Sequence, residues 1–371
     1  MANLVLYRKY RPQSFKEVIG QEHVVQTITN ALSSDLISHA YIFSGPRGSG
    51  KTTLARLLAK AANCHNRKSG SFEPCNQCSS CLEINEGRSL DLIEIDAASH
   101  RGIDEIRELR DGIRFAPAKE KYKVFVIDEC HQLTKEAVNA LLKTLEEPPS
   151  HAVFVLATTE IHKMIPTIIS RCQRFDFRKL TLNEITNRLD IVSKKEKAKI
   201  EKSALNLIAL NSGGSIRDAE SLLDQVLTFA GTLNHSEIKA DHIKDLLGLA
   251  DIALIGQFFD FISKKDGKGA IEFLGRTFEK GYDPQEFSKA LVSYLRQAML
   301  LKINSEAVNP VIIGLTKEEQ DKIREQIKEI SSLEIKKALN LFMEADNKIK
   351  YSSIPQLPLE LAIVDIVHKE G

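Results

Sequence analysis

The chain has 371 residues, enough for two or three domains, and its 43% apolar and 27% charged residues give the balance of a globular protein rather than a disordered one. Fifty-one Lys and Arg against 50 Asp and Glu leave a net charge of +1, which excludes a uniformly basic coat for a polyanion. The charge divides unevenly: residues 1–180 carry 25 basic and 21 acidic side chains and residues 181–371 carry 26 and 29, so an anion-facing surface is expected in the first half. The opening MANLVLYRKYRPQ lacks the apolar core of a signal peptide and no run of 18 apolar residues follows, so a cytoplasmic protein with no membrane partner is expected.

From residue 36 to 178, short β-rich runs alternate with helical patterns. The strand candidates are AYIFSG at 40–45, DLIEID at 91–96, YKVFVID at 122–128, AVFVLATT at 152–159 and QRFDF at 173–177. Apolar residues at helical spacing lie between them: Ile103, Ile106, Leu109 and Ile113, then Val138, Leu141, Leu142 and Leu145. Near-continuous apolar strands separated by helices predict a parallel sheet covered on both faces. Beyond residue 179 the strands disappear. Residues 181–245 read as a small helical bundle and 250–368 as further helices, where Ile335, Leu339 and Phe342 form one apolar stripe that serves either the internal core or a subunit contact.

GPRGSGKT at 45–52 fits G-x-x-x-x-G-K-[ST] between a predicted strand and a predicted helix, the context a phosphate loop requires. Gly45, Gly48 and Gly50, with Pro46, Arg47 and Ser49 between them, form a loop whose backbone N–H groups can curl around phosphate oxygens. Lys51 supplies a point charge to the β/γ-phosphates and Thr52 a hydroxyl to Mg²⁺. KVFVIDE then ends a buried strand on Asp128, a Mg²⁺ holder, and Glu129, the candidate base for the attacking water. His131 completes a D-E-x-H string with Asp128 and Glu129 and reads as a bystander. Cys64, Cys75, Cys78 and Cys81 offer four thiolates within 18 residues in a segment too polar to be core, which favours structural Zn²⁺ over an iron–sulfur cluster or buried thiols. Cys130 and Cys172 stand apart and read as unliganded.

With these residues in place, the chain resembles the clamp-loader clade of AAA+ ATPases, and within it the bacterial DNA polymerase III gamma/tau family. YRPQSFKEVIGQEHV at 10–24 is similar to that family's adenine-side box and LLKTLEEPP at 141–149 to one of its hallmarks. LATTE at 156–160 resembles the sensor 1 strand, with Thr159 at the polar position. IISRCQRFDF at 168–177 carries Ser170-Arg171-Cys172, and GGSIRDAESLLDQ at 213–225 resembles the sensor 2 helix, with Arg217 as its arginine. The cysteine insert matches as well.

The resemblance implies an α/β AAA+ ATPase domain over 1–179 with a zinc module at about 64–81, a helical lid over 180–245 and an all-helical collar over 246–371. It implies hydrolysis of ATP with Mg²⁺ at subunit interfaces, Arg171 acting as a finger on the neighbour's nucleotide and Arg217 acting within its own subunit. The implied partners are other clamp-loader subunits in a hetero-pentamer with self-association, a ring-shaped sliding clamp, and primed-template DNA held by its phosphate backbone; the implied setting is the nucleoid-associated replisome. Arg101, after a strand and before a helix, is a candidate phosphate contact. A branch-migration type of AAA+ ATPase and a nucleotide-gated scaffold without turnover are the alternatives.

Overall fold

A computed structural model describes residues 4–99, 112–113, 115–233, 237–247, 252–303 and 317–367. The chain divides into two compact units, Met1–Val192 with Asn211–Gln225, and Ser193–Leu210 with Val226–Gly371.

The first unit is built on a five-stranded sheet of order β2-β3-β4-β1-β5, with β1 at Ala40–Ser44, β2 at Leu92–Asp96, β3 at Lys123–Asp128, β4 at Ala152–Thr158 and β5 at Gln173–Asp176. Every pairing is parallel. Each strand expected from the sequence is present. The continuously apolar runs of β1 and β4 are buried along their whole length at the centre, while β2 and β5 lie at the edges and are partly exposed.

Alternation along the strands divides the core in two. Tyr41, Phe43, Val124, Val126, Val153 and Val155 meet the helices Glu22–Ser33 and Lys51–Ala62 through Val24, Ile28, Leu54 and Leu58. Ile42, Phe125, Ile127, Phe154 and Leu156 face the opposite way, onto the helix Lys135–Glu146 through Ala137, Leu141 and Leu145. Phe125 and Phe154 stack with ring centroids 5.3 Å apart on that side. Ile113 joins this second core; Arg101, Ile103, Ile106 and Leu109 lie outside the described residues.

Sheet order explains where the chemistry collects. Strands β3, β4 and β1 are neighbours and parallel, so their C-terminal ends lie side by side and deliver Asp128, Thr158 and the loop from Gly45 to one edge.

The second unit holds the helices Ile252–Ser263, Gly267–Glu279, Pro284–Ile303, Lys317–Gln326, Ser332–Ile349 and Leu357–Val367. Phe258, Phe287 and Phe342 form its aromatic centre, with Phe258 edge-on to Phe287 at 5.4 Å and to Phe342 at 5.9 Å. Ile335, Leu339 and Phe342 are all buried in this core, which settles the stripe as internal packing. Ser331 and Glu334 start their helix with a reciprocal capping box. After β5 the described residues contain one further β feature, a single parallel bridge from Ile200 to Ile238. No helix among the described residues is long and apolar enough to cross a membrane.

Candidate active site and metal centre

The helix Lys51–Ala62 begins directly after β1, and the turn between them holds the candidate phosphate loop. Gly50 occupies its N-cap at φ +100°, a left-handed conformation that L side chains rarely adopt. Gly48 is fixed by space as well as by its φ of +72°: a Cβ there would sit 1.9 Å from Ser215 Oγ. The Ile216 N–H also donates to the Gly48 carbonyl at 3.3 Å. The start of the helix Ile216–Leu233, which carries Arg217, therefore packs on the loop itself.

The side chains around the loop are already paired. Lys51 is 6% exposed and its Nζ donates to the Gly45 and Pro46 carbonyls, both at 2.8 Å. Burial lowers its pKa, and the Glu129 and Asp128 carboxylates oppose that shift. Thr52 Oγ1 donates to Asp128 Oδ2 at 2.8 Å, which places a hydroxyl and a carboxylate oxygen together, the hard donors that Mg²⁺ takes. Glu129 follows with φ +47°, an unusual backbone for a non-glycine residue. Thr159 Oγ1 donates to Glu129 Oε2 at 2.9 Å.

A cleft of ≈ 590 Å³ opens over these residues. The loop from Arg47 to Thr52, with Asp128, Glu129 and Thr159, forms its polar end. Pro12, Val18, Ile19, Leu180 and Ile216 add apolar lining to the same cleft. Arg217 lines the same cleft, its guanidinium 4.9 Å from the centre of the Tyr7 ring. Its hydrogen bond lowers the Tyr7 pKa. Arg171 does not line the cleft. It donates to the Thr167 carbonyl at 2.7 Å and to Glu146 at 2.6 Å.

Other residues also line the cleft. The His131 ring is 6% exposed, with Nδ1 3.0 Å from Thr158 Oγ1 and 3.5 Å from Glu129 Oε2, and Nε2 3.4 Å from Glu160 Oε1. Arg188 and Glu220 form a buried ion pair at 2.9 Å on the cleft wall, and Arg188 also donates to the Tyr10 carbonyl. Burial raises the Glu220 pKa, against the pull of Arg188. Arg11, whose pKa burial lowers, completes that wall. The D-E-x-H string signalled His131; Tyr7 and the Arg188–Glu220 pair had no motif to announce them.

The four clustered cysteines converge. One sulfur from each of Cys64, Cys75, Cys78 and Cys81 lies within 4.8 Å of all the others, and Cys75 and Cys81 are 3.9 Å apart. A tetrahedron of sulfurs ~2.3 Å from a central Zn²⁺ has edges of about 3.8 Å, so the arrangement fits such an ion and leaves no ligand position open. Burial pushes the Cys75 thiol up, but the N–H groups of Gln77 and Cys78 and the neighbouring thiols outweigh it and hold the pKa at about 6. Cys130 and Cys172 stand outside the cluster, Cys130 against Met164 at 3.6 Å. Burial pushes the Cys130 thiol up strongly and Cys172 to about 12.

Comparison with known proteins places this geometry in a family. Residues 20–181 match the family described as DNA polymerase III, delta subunit; residues 184–232 match DNA polymerase III clamp loader subunit, ATPase lid domain; and residues 238–370 match DNA polymerase III subunits gamma and tau domain III. The chain is 41% identical to DNA polymerase III subunit tau of Bacillus subtilis over 99% of its own length and 63% of that protein's. It is 37% identical to DNA polymerase III subunit gamma/tau of Mycobacterium tuberculosis, over 96% of this chain and 61% of that one. It thus spans about three fifths of the length of these relatives. With DNA polymerase III subunit gamma of Buchnera aphidicola it is 36% identical over 98% of both chains. These sequence matches show that the chain belongs to the DNA polymerase III gamma/tau family.

Proposed function

We propose that the chain is the ATP-hydrolysing motor subunit of a clamp loader in the DNA polymerase III holoenzyme. It acts at subunit interfaces to open a ring-shaped sliding clamp and place it on primed-template DNA. The observation that carries this reading is the Thr52–Asp128 contact at 2.8 Å beside a buried Lys51, the constellation a magnesium nucleoside triphosphate needs.

In this reading Lys51 exchanges its two loop carbonyls for β- and γ-phosphate oxygens. The backbone from Gly45 to Thr52 cradles the phosphates, with Pro46, Arg47 and Ser49 shaping the turn. Thr52 and Asp128 hold Mg²⁺, which neutralises charge on the phosphates when bound. Glu129 orients the attacking water and takes its proton, and Thr159 holds that carboxylate in place. Arg217 reaches the nucleotide from the Ile216–Leu233 helix once it leaves the Tyr7 ring.

Arg171, tethered outside its own cleft, serves as the finger for the neighbouring subunit's nucleotide. Such fingers contribute on the order of 10³–10⁵ in rate, which makes assembly a condition of turnover. Cys64, Cys75, Cys78 and Cys81 hold a structural Zn²⁺.

The domain assignment that accompanies this reading is an ATPase domain over 1–179, a lid over 180–245 and a collar over 246–371. The partners are companion loader subunits in a hetero-pentamer with self-association, the clamp, and DNA phosphates; the setting is the cytoplasmic, nucleoid-associated replisome. Equilibrium binding of ATP to the purified chain, with and without Mg²⁺, tests the foundation: tight, magnesium-dependent binding is expected, and no binding would overturn the reading.

A further inference from the structure

The cysteine module contacts the segment at 13–17, whose chain neighbours line the nucleotide cleft, and Lys60 is one link between module and segment. Lys60 lies on the helix that opens at the phosphate loop and is 2% exposed. Its ammonium donates to Gln13 Oε1 at 2.8 Å, Asn76 Oδ1 at 2.7 Å and Asn85 Oδ1 at 2.8 Å. These contacts use all three donors of the ammonium on neutral oxygens from three separate segments. Asn76 sits between Cys75 and Cys78 with a left-handed φ of +57°, and Asn85 is on the helix Ser79–Glu86 that carries Cys81.

A buried cation surrounded by neutral amides is costly unless charge of the opposite sign is close. Four thiolates around a divalent ion carry a net −2. Burial lowers the Lys60 pKa, and the Cys81 sulfur heads the groups that raise it again.

The module also grips the segment at 13–17 directly. Glu73 accepts the Phe15 N–H at 3.0 Å on one oxygen and the Lys16 N–H at 3.1 Å on the other. Asn76 donates to the Gln13 carbonyl at 3.0 Å, and Phe72 lies edge-on to Phe15 at 6.3 Å. Glu17 within this gripped segment, Pro12 just before it and Val18 and Ile19 just after it line the cleft.

We propose that the four-cysteine module is the backing of the cleft's N-terminal wall, with Lys60 and Glu73 as positioning residues, so that metal loading and nucleoside triphosphate binding are coupled. The proposal rests on the zinc and nucleotide readings above. Coupling between two ligands is reciprocal, and a factor of about fivefold or more is typical of linked sites.

The test uses the full chain, loaded with Zn²⁺ at one ion per chain by metal analysis. Zn²⁺ transfer to a competing chromophoric chelator is followed with and without a non-hydrolysable ATP analogue and Mg²⁺. The analogue is expected to tighten metal retention about fivefold or more, and to do nothing in the Lys51→Ala chain, which controls for metal binding by the nucleotide.

Glu73→Gln keeps every cysteine. It is expected to retain one Zn²⁺ per chain while losing about fivefold in affinity for the analogue. Lys60→Met is expected to weaken both metal and analogue binding. Equal metal retention with and without analogue, in a chain shown to bind it, overturns the coupling, as does wild-type analogue affinity in Glu73→Gln. A loaded chain that binds no nucleotide overturns the nucleotide reading and the coupling with it. A chain that takes up no Zn²⁺ overturns the metal reading instead.

Discussion

Thr159 donates its hydroxyl to the Glu129 carboxylate at 2.9 Å, tying the end of β4 to the residue after β3. Glu129 also carries a positive φ of +47°. Thr159→Val keeps the shape and removes the donor. Turnover in the assembled complex is expected to fall about 10²-fold while ATP affinity stays within about twofold, since the bond acts on the proposed base and not on the phosphates. Parallel loss of affinity and turnover would contradict this division.

Lys51→Ala and Arg171→Ala separate binding from chemistry. Lys51 is buried at the loop, so its removal is expected to abolish ATP binding. Arg171 is bonded to Thr167 and Glu146 outside the cleft, so its removal is expected to leave binding intact and lower turnover on the order of 10³-fold in the complex. Fluorescent-nucleotide titration and steady-state hydrolysis read the two effects, and tight binding by Lys51→Ala would sink the first assignment.

The Arg188–Glu220 pair is buried on both sides, at 9% and 5% side-chain exposure. Removing one partner strands the other. Arg188→Met is expected to destabilise the chain by about 3–5 kcal/mol, read as a shifted urea midpoint, whereas a change below ~1 kcal/mol would show that Glu220 finds another partner or water.

Acid should expose the contribution of Glu184. Arg178, helped by Thr181 and opposed by burial, holds its carboxyl at about 2. A carboxyl lowered by folding stabilises the folded state above its unfolded pKa of about 4.3, and that contribution disappears as the pH falls through the folded value. The stability gap between wild type and Glu184→Gln is therefore expected to be full above about pH 5 and to close towards pH 2. A gap independent of pH in urea unfolding would exclude this linkage.

The parts legible in the sequence were those written by local pattern. AVFVLATT needed no context to be a buried strand, and β4 is buried throughout. GPRGSGKT is a contiguous motif whose residues from Arg47 to Thr52 line the cleft, and the spaced cysteines bring four sulfurs within 4.8 Å of one another.

What escaped was made by approach between distant segments. Lys60 carries no motif, and its burial comes from Gln13 and Asn85, which approach from segments distant in the chain. Tyr7 meets Arg217 only because the N-terminal segment and the Ile216–Leu233 helix share the cleft. The histidine of D-E-x-H was visible as a letter, but its seat between Glu129 and Glu160 depends on how the residues after β3 and β4 lie together.

Steady-state ATP hydrolysis with the companion loader subunits, in the presence and absence of sliding clamp and primed-template DNA, tests the central claim most directly. Strong joint stimulation by clamp and DNA is expected, and it disappears in Arg171→Ala. Turnover indifferent to the clamp would contradict it, leaving an ATPase with a different client.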